Sequence, residues 1–168
     1  MKLQVPIILL MLSLIACENQ NNINSLDPIN WQNKRIQLID SGQIYYESSY
    51  LSIYSQIYER NQKVTFDLTV TVSMRNKSSS DSIYILKADY YNTSGSLIRT
   101  YFDFPILLKP METIEIVIDQ VDSVGGTGGN FIFSWATENQ YNEPLFEAIM
   151  ISTDNQQGIS FTTQGVKR

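Results

Sequence analysis

The chain has no histidine and one cysteine in 168 residues. Without imidazole there is no Ser-His-Asp or Cys-His catalysis, no histidine general base and no His₂ or His₃ metal centre. A lone cysteine excludes an internal disulfide. Charge is sparse: Asp, Glu, Lys and Arg make up 17% of the chain, against roughly 25% in an average domain. Acids outnumber bases 17 to 12, for a net charge of −5. That balance suits a phosphate backbone poorly, so no nucleic-acid partner is expected. Polarity comes instead from Asn, Gln, Ser, Thr and 10 tyrosines.

What is present begins with an address. Residues 1–16 read as a secretory signal peptide: Lys2, an apolar stretch from Val5 to Ile15, then Ala16 before Cys17. Eleven apolar residues rise about 16 Å, roughly half a bilayer core, which disfavours a permanent spanning helix. Leu14-Ile15-Ala16-Cys17 resembles the bacterial lipobox, in which the cysteine is acylated with chains such as palmitate and becomes the first mature residue. The plainer alternative is an ordinary export signal with an incidental cysteine, but the only thiol in the chain falls at the cut. The expectation is a lipid-anchored protein of the bacterial cell envelope, on a periplasmic or outer-surface face. Residues 17–41 are Asn-rich and aperiodic and read as a flexible tether, with Trp31 and Ile36-Leu38-Ile39 as points able to dock and end it early. Residues 42–168 then form one domain.

That domain reads as strands. Val64, Phe66, Leu68, Val70, Val72 and Met74 alternate with polar residues, which predicts one long strand with a buried face. Ile83 and Ile85 lie on odd positions while Leu86, Ala88 and Tyr90 lie on even ones, a phase change that predicts a bulge near Leu86. Asn92-Thr93-Ser94-Gly95 is turn chemistry, and Leu97 to Phe102 returns as the other arm of a hairpin. Pro105 and Pro110 bracket Ile106-Leu107-Leu108, which suits an edge or crossover segment. Ile114, Ile116 and Ile118 alternate again, as do Phe131, Phe133 and Trp135. Leu145 to Ile151 is a near-continuous apolar run, read as a strand buried on both sides or bulged, and Asn155-Gln156-Gln157-Gly158 as a turn into a last strand, Ile159 to Thr163. The result is all-β, a two-sheet antiparallel β-sandwich of about 7–8 strands in the immunoglobulin or fibronectin style, with a small β-barrel as the alternative.

Several segments carry a resemblance. Ser52-Ile53-Tyr54-Ser55-Gln56-Ile57-Tyr58, Asp89-Tyr90-Tyr91-Asn92, Gly125-Gly126-Thr127-Gly128-Gly129-Asn130-Phe131, Asn142-Glu143-Pro144 and Gln156-Gln157-Gly158-Ile159-Ser160-Phe161-Thr162 resemble a bacterial family catalogued as domain of unknown function 3124. The likeness runs over roughly residues 43–165. It departs from the family pattern at Leu51, where that pattern has proline. The resemblance implies an exported or lipid-anchored single domain. It brings no assigned activity, so no functional residue is carried over.

The remaining constellations point weakly to chemistry and better to binding. The glycine loop lacks the lysine and helix of a phosphate cradle. It reads as a flexible loop needing positive φ at several positions, or as a mobile lid. Glu143 and Glu147, with Asp89, Asp103, Asp119 and Asp122, are the candidate acids for a carboxylate-dependent hydrolase acting on envelope glycans. Asp119 and Asp122 could offer oxygens to calcium, but no Asp-x-Asp-x-Asp-Gly loop exists; no metal site and no cofactor are nominated. Tyr46, Tyr50, Tyr54 and Tyr58 recur at steps of four, which puts them on one face of a strand, with Leu51, Ile53 and Ile57 on the other; the same step fits a helix face. The nominated binding surface is Tyr46, Tyr50 and Tyr54, with Gly125, Gly126, Gly128 and Gly129 beside it, because tyrosine gives apolar contact plus a hydroxyl. The bland alternative is rings that cover an edge or fill satellite packing. The expected partners are the membrane, through the anchor, and an unidentified envelope protein or glycan. Asn76-Lys77-Ser78 and Asn92-Thr93-Ser94 match the glycosylation sequon, which carries little meaning in a bacterium.

Overall fold

The computed structural model describes residues 29–38, 42–153 and 158–168. The signal peptide, Cys17 and most of the expected tether lie outside these residues, as does most of the turn at 155–158. Two antiparallel sheets face each other across one core, with no closed barrel. The first has five strands in the order β11 (Val166–Lys167), β1 (Tyr45–Ile53), β8 (Gly129–Thr137), β5 (Ile83–Tyr91) and β6 (Leu97–Leu108). The second has four: β10 (Ile159–Gln164), β9 (Leu145–Ser152), β4 (Thr69–Arg75) and β7 (Thr113–Ile118). A small ribbon pairs β2 (Gln56–Tyr58) with β3 (Thr65–Asp67). The strands beyond the expected count are β1, where step-four tyrosines left strand and helix open, and the very short β2, β3 and β11.

The alternating residues fill the space between the sheets. Leu51, Ile53, Phe131, Phe133 and Trp135 on one side meet Val70, Val72, Met74, Ile116 and Phe146 on the other, all buried. Tyr90, Phe131, Phe133 and Phe146 form a continuous stack with centroid spacings of 4.9, 5.3 and 4.2 Å, crossing from the first sheet to the second. Each ring removes a large apolar area from water, and the stacked geometry adds to that burial.

The expected bulge is present: the register of β5 slips by one residue between Ile85 and Lys87 against both neighbours. The expected single strand over 64–75 is instead broken at Leu68. Its amide turns to the Ser55 carbonyl at 2.9 Å, so β3 joins the ribbon and only β4 enters the sandwich. β9 is buried on one face alone: Phe146, Ala148 and Met150 point inward, while Ile149 and Ile151 are exposed. Its apolar run reflects β-propensity on a solvent face rather than two covered faces. Pro105 sits in the edge strand β6, where a missing donor costs no ladder bond, and its carbonyl accepts from the Ile36 amide at 2.9 Å. Trp31 is buried against Phe102 with ring centroids 4.7 Å apart, so the packed part of the chain reaches back at least to that tryptophan.

The last strand changes sheets. β10 pairs with β9 as far as Gln164, the Gly165 amide donates to Phe146 O at 2.8 Å, and β11 then pairs with β1 through Val166 and Lys167. A side chain at Gly165 would lie 2.9 Å from Phe146 Cβ, so the crossing has room only for glycine.

Candidate functional site

Directly opposed residues of an antiparallel ladder share a face, so the registers decide what the outer face of the five-stranded sheet displays. One row runs Tyr46, Ala136, Tyr84, Leu107; the next Ser48, Ser134, Lys87, Asp103; the next Tyr50, Ile132, Asp89, Thr100; the last Ser52, Asn130, Tyr91 and Leu97. Four tyrosines thus surround a central ion cluster. Tyr46 is 63% exposed and Tyr50 36%. Four residues apart, they stand about 13 Å apart along β1, and Tyr84 lies two strands from Tyr46, about 10 Å away. Tyr84 and Tyr91 are seven positions apart and would face opposite ways in a regular strand. The extra residue at Leu86 brings both outward.

In the cluster, Lys87 Nζ lies 2.9 Å from Asp89 Oδ2 and 3.9 Å from Asp103 Oδ2, and Thr100 Oγ1 donates to Asp89 Oδ1 at 2.6 Å. The hydrogen bond to Asp89 holds the Lys87 pKa above its ordinary value. The Tyr84 hydroxyl donates to Glu138 Oε1 at 3.2 Å. Partial burial, then that carboxylate, raise its pKa.

The sandwich opens at the end where β1 begins and β8 finishes. Trp135 forms the floor, its Nε1 donating to Ser49 Oγ at 3.0 Å. Lys167 Nζ sits 5.6 Å from the centre of its ring, 2.9 Å from Glu143 Oε1 and 3.1 Å from Glu47 Oε1. The bond to Glu143, then that to Glu47, raise the Lys167 pKa. Tyr45, Gln140 and Tyr141, the last 85% exposed, line an open pocket of about 280 Å³ beside this cation. A second pocket of about 340 Å³, lined by Asp81, Tyr84, Glu138 and Asn139, flanks the same loop.

The other nominated residues are placed elsewhere. Tyr54 leaves β1 and packs between the sheets against Phe161, with centroids 5.8 Å apart. The glycine segment forms a 3₁₀ turn, Ser123–Gly128, at the opposite end of the sandwich; Gly129 pairs with Ile53, about 23 Å along β1 from Tyr46. Only Gly126 within it has a positive φ, 69°. Gly125 is buried against Tyr90, whose hydroxyl a Cβ would strike. Thr93 ties the turn down: its Oγ1 donates to Gly125 O at 3.0 Å and accepts from the Gly128 amide at 2.9 Å. Only Tyr58 of the tyrosine series reaches this turn, accepting from Thr127 Oγ1 at 3.5 Å.

The candidate acids are dispersed, and five of the six are held by cations. Asp89 and Asp103 share Lys87, Arg99 lies 3.2 Å from buried Asp122, Glu147 pairs with Arg75 at 3.0 Å, and Glu143 belongs to the Lys167 cluster. Among the described residues no group of three or more His, Cys, Asp or Glu side chains is placed to hold a metal ion. Sequence reasoning missed Tyr84, Tyr91, Lys87, Glu47 and Lys167. The bulge at Leu86 was the available signal for the first two; the pairing of residues far apart in the chain left none for the others.

A family model described as "Protein of unknown function (DUF3124)" matches residues 46–167. No curated protein matches the sequence. Among solved structures, the crystal structure of Thermotoga maritima 1070 is similar over 71% of this chain and 92% of that one, at 7% identity and a TM-score of 0.43. A likeness of that size carries no argument about function.

Proposed function

The chain belongs to the DUF3124 family of proteins of unknown function, and from that premise we propose that it is a non-catalytic binding module of the bacterial envelope, held to a membrane by a lipid on Cys17. The observation that carries the binding reading is the outer face of the five-stranded sheet, where Tyr46, Tyr50, Tyr84 and Tyr91 surround Lys87, Asp89 and Asp103. Aromatic rings with hydroxyls, set on rigid strands, give contact area at little entropic cost. The paired charges at the centre leave no bare ion to desolvate when a partner covers them. The anchor reading is supported by Leu14-Ile15-Ala16-Cys17. Among the nominated surface residues, Tyr46 and Tyr50 belong to this face. A carboxylate-dependent hydrolase has less support, because the candidate acids sit on separate elements, most of them neutralised by a Lys or Arg.

The test is capture of envelope components by the purified domain. A Tyr46→Ser/Tyr50→Ser variant should melt within a few degrees of wild type, since both rings are exposed, and should lose tenfold or more of the captured material. Losing an aromatic anchor commonly costs about 2 kcal/mol or more. An unchanged capture profile from the folded variant removes the tyrosine face from the reading.

A further inference from the structure

We propose that the edge of β1 at the open end of the sandwich is a receptor for an extended, lysine-bearing segment of a partner protein, and that the chain's own residues 166–168 fill it as a built-in ligand. The inference rests on the reading of the domain as a binding module, but not on the tyrosine face. β1 would otherwise be an edge strand. Its outward backbone groups are met one after another by the C-terminal segment: Thr163 Oγ1 donates to Ser52 O at 2.6 Å, Val166 pairs with Tyr50, and the Arg168 amide donates to Ser48 O at 2.9 Å. The lysine between these contacts enters a cage of Glu47, Glu143 and Trp135. This is the geometry of strand addition, in which backbone bonds supply affinity and a side-chain pocket supplies specificity.

The self-bound segment is weakly held. Val166 is 60% exposed, so pairing it buries little apolar area. The ion pairs of Lys167 are open to solvent, and such pairs contribute little. Up to Gly165 the chain is fixed by its bond to Phe146 and by the lack of space there. Beyond it, residues 166–168 can leave the edge of β1 without disturbing the core. The cage then presents two carboxylates and the face of an indole, a combination that selects an ammonium over an anion or a neutral chain. The net charge of −5 adds attraction for a basic partner.

The experiment uses the full chain. In a Val166→Pro/Lys167→Glu variant, proline removes a backbone donor and the new carboxylate is repelled by Glu47 and Glu143, so the receptor is empty. An acetylated, amidated hexapeptide made of residues 166–168 followed by three threonines, which run on along β1 toward Tyr45, should bind this variant saturably in calorimetry. Replacing its lysine with norleucine should weaken binding severalfold, since the ion pairs and the cation–π contact are each small. Wild type should bind the peptide at least tenfold more weakly than the variant, because its own segment competes at an effective concentration in the millimolar range. Equal binding of the norleucine peptide, or none of either to the folded variant, overturns the proposal. So does binding of chitotetraose, the sugar probe, in place of the peptide. Hydrogen exchange on wild type gives a readout independent of how the variant folds. The Arg168 amide should exchange at least a hundredfold faster than that of Phe133; equal protection also overturns the proposal. Envelope capture that depends on Tyr46 and Tyr50 but resists excess peptide leaves the binding-module reading standing and removes only this receptor.

Discussion

Trp135 bears two loads at once. Its ring is buried in the core, and its indole nitrogen satisfies the buried Ser49 hydroxyl. Trp135→Ala should cost about 3–5 kcal/mol, a large share of the roughly 5–15 kcal/mol that holds a domain together, and should yield little soluble folded protein. A variant melting within a degree or two of wild type would mean that the ring is not in the core. Tyr90 makes a different prediction. Burial pushes its pKa up to about 12, against a smaller opposing pull from Ser55 beside the hydroxyl; Ser55 Oγ donates to Gly126 O, and the Tyr90 hydroxyl has no hydrogen bond of ordinary geometry among the described residues. The unfolded chain releases this proton near pH 10 and the folded chain near pH 12. The stability that the protonated ring supports is therefore complete below pH 10 and lost as pH rises toward 12. Tyr90→Phe should match or exceed wild type at pH 7, since it deletes an unsatisfied buried hydroxyl, and should lose less stability than wild type between pH 10 and 12. Parallel alkaline melting curves for the two proteins would refute the assignment. Asn76, met in the sequence only as part of a sequon, is buried, and its Nδ2 reaches the carbonyls of Asp81, Leu108 and Lys109 at 2.7, 3.1 and 3.1 Å. One amide side chain thus closes the link from β4 to β5 against the end of β6.

At the scale of elements, the glycine turn and the sheet crossing depend on absent side chains. Gly125→Ala should drive a methyl into the Tyr90 ring and destabilise the domain by about 1–3 kcal/mol. In a Tyr90→Phe background, where the struck hydroxyl is gone, part of that loss should return. Additive losses in denaturant melts would show that the two residues do not meet. Strict alternation in β4, β7 and β8 was legible because each strand turns its large apolar side chains to one face, and the phase change at Leu86 was legible because a bulge must shift the period. The break at Leu68 was not, since both halves keep the same alternation and only the ribbon formed by β2 and β3 separates them. Glycines suggested a mobile loop, but the same absence of Cβ also permits the close approach to Tyr90. Tyr46 and Tyr50 were readable as exposed because Leu51 and Ile53 fix the facing of β1. Tyr54 was misgrouped because the chain leaves the strand at Ile53.

At the scale of the whole molecule, the proposed anchor makes its own prediction. If Cys17 carries the lipid, Cys17→Ser should leave the protein unprocessed or release it from the membrane fraction. Acyl chains contribute about 0.8 kcal/mol per buried CH₂. Unchanged processing and unchanged detergent partitioning would refute the anchor. The changeover of the final strand at Gly165 has a further consequence, for the order of events in making the protein. β1, the first strand of the sandwich, finds its partners in β8 and β11, so nearly the whole domain must be available before it can pair on both sides. Such non-local topologies fold slowly, in milliseconds to seconds. The sandwich is then incomplete until residues 163–168 are in place, and the same closing segment that seals the edge of β1 sets the moment at which both sheets are finished.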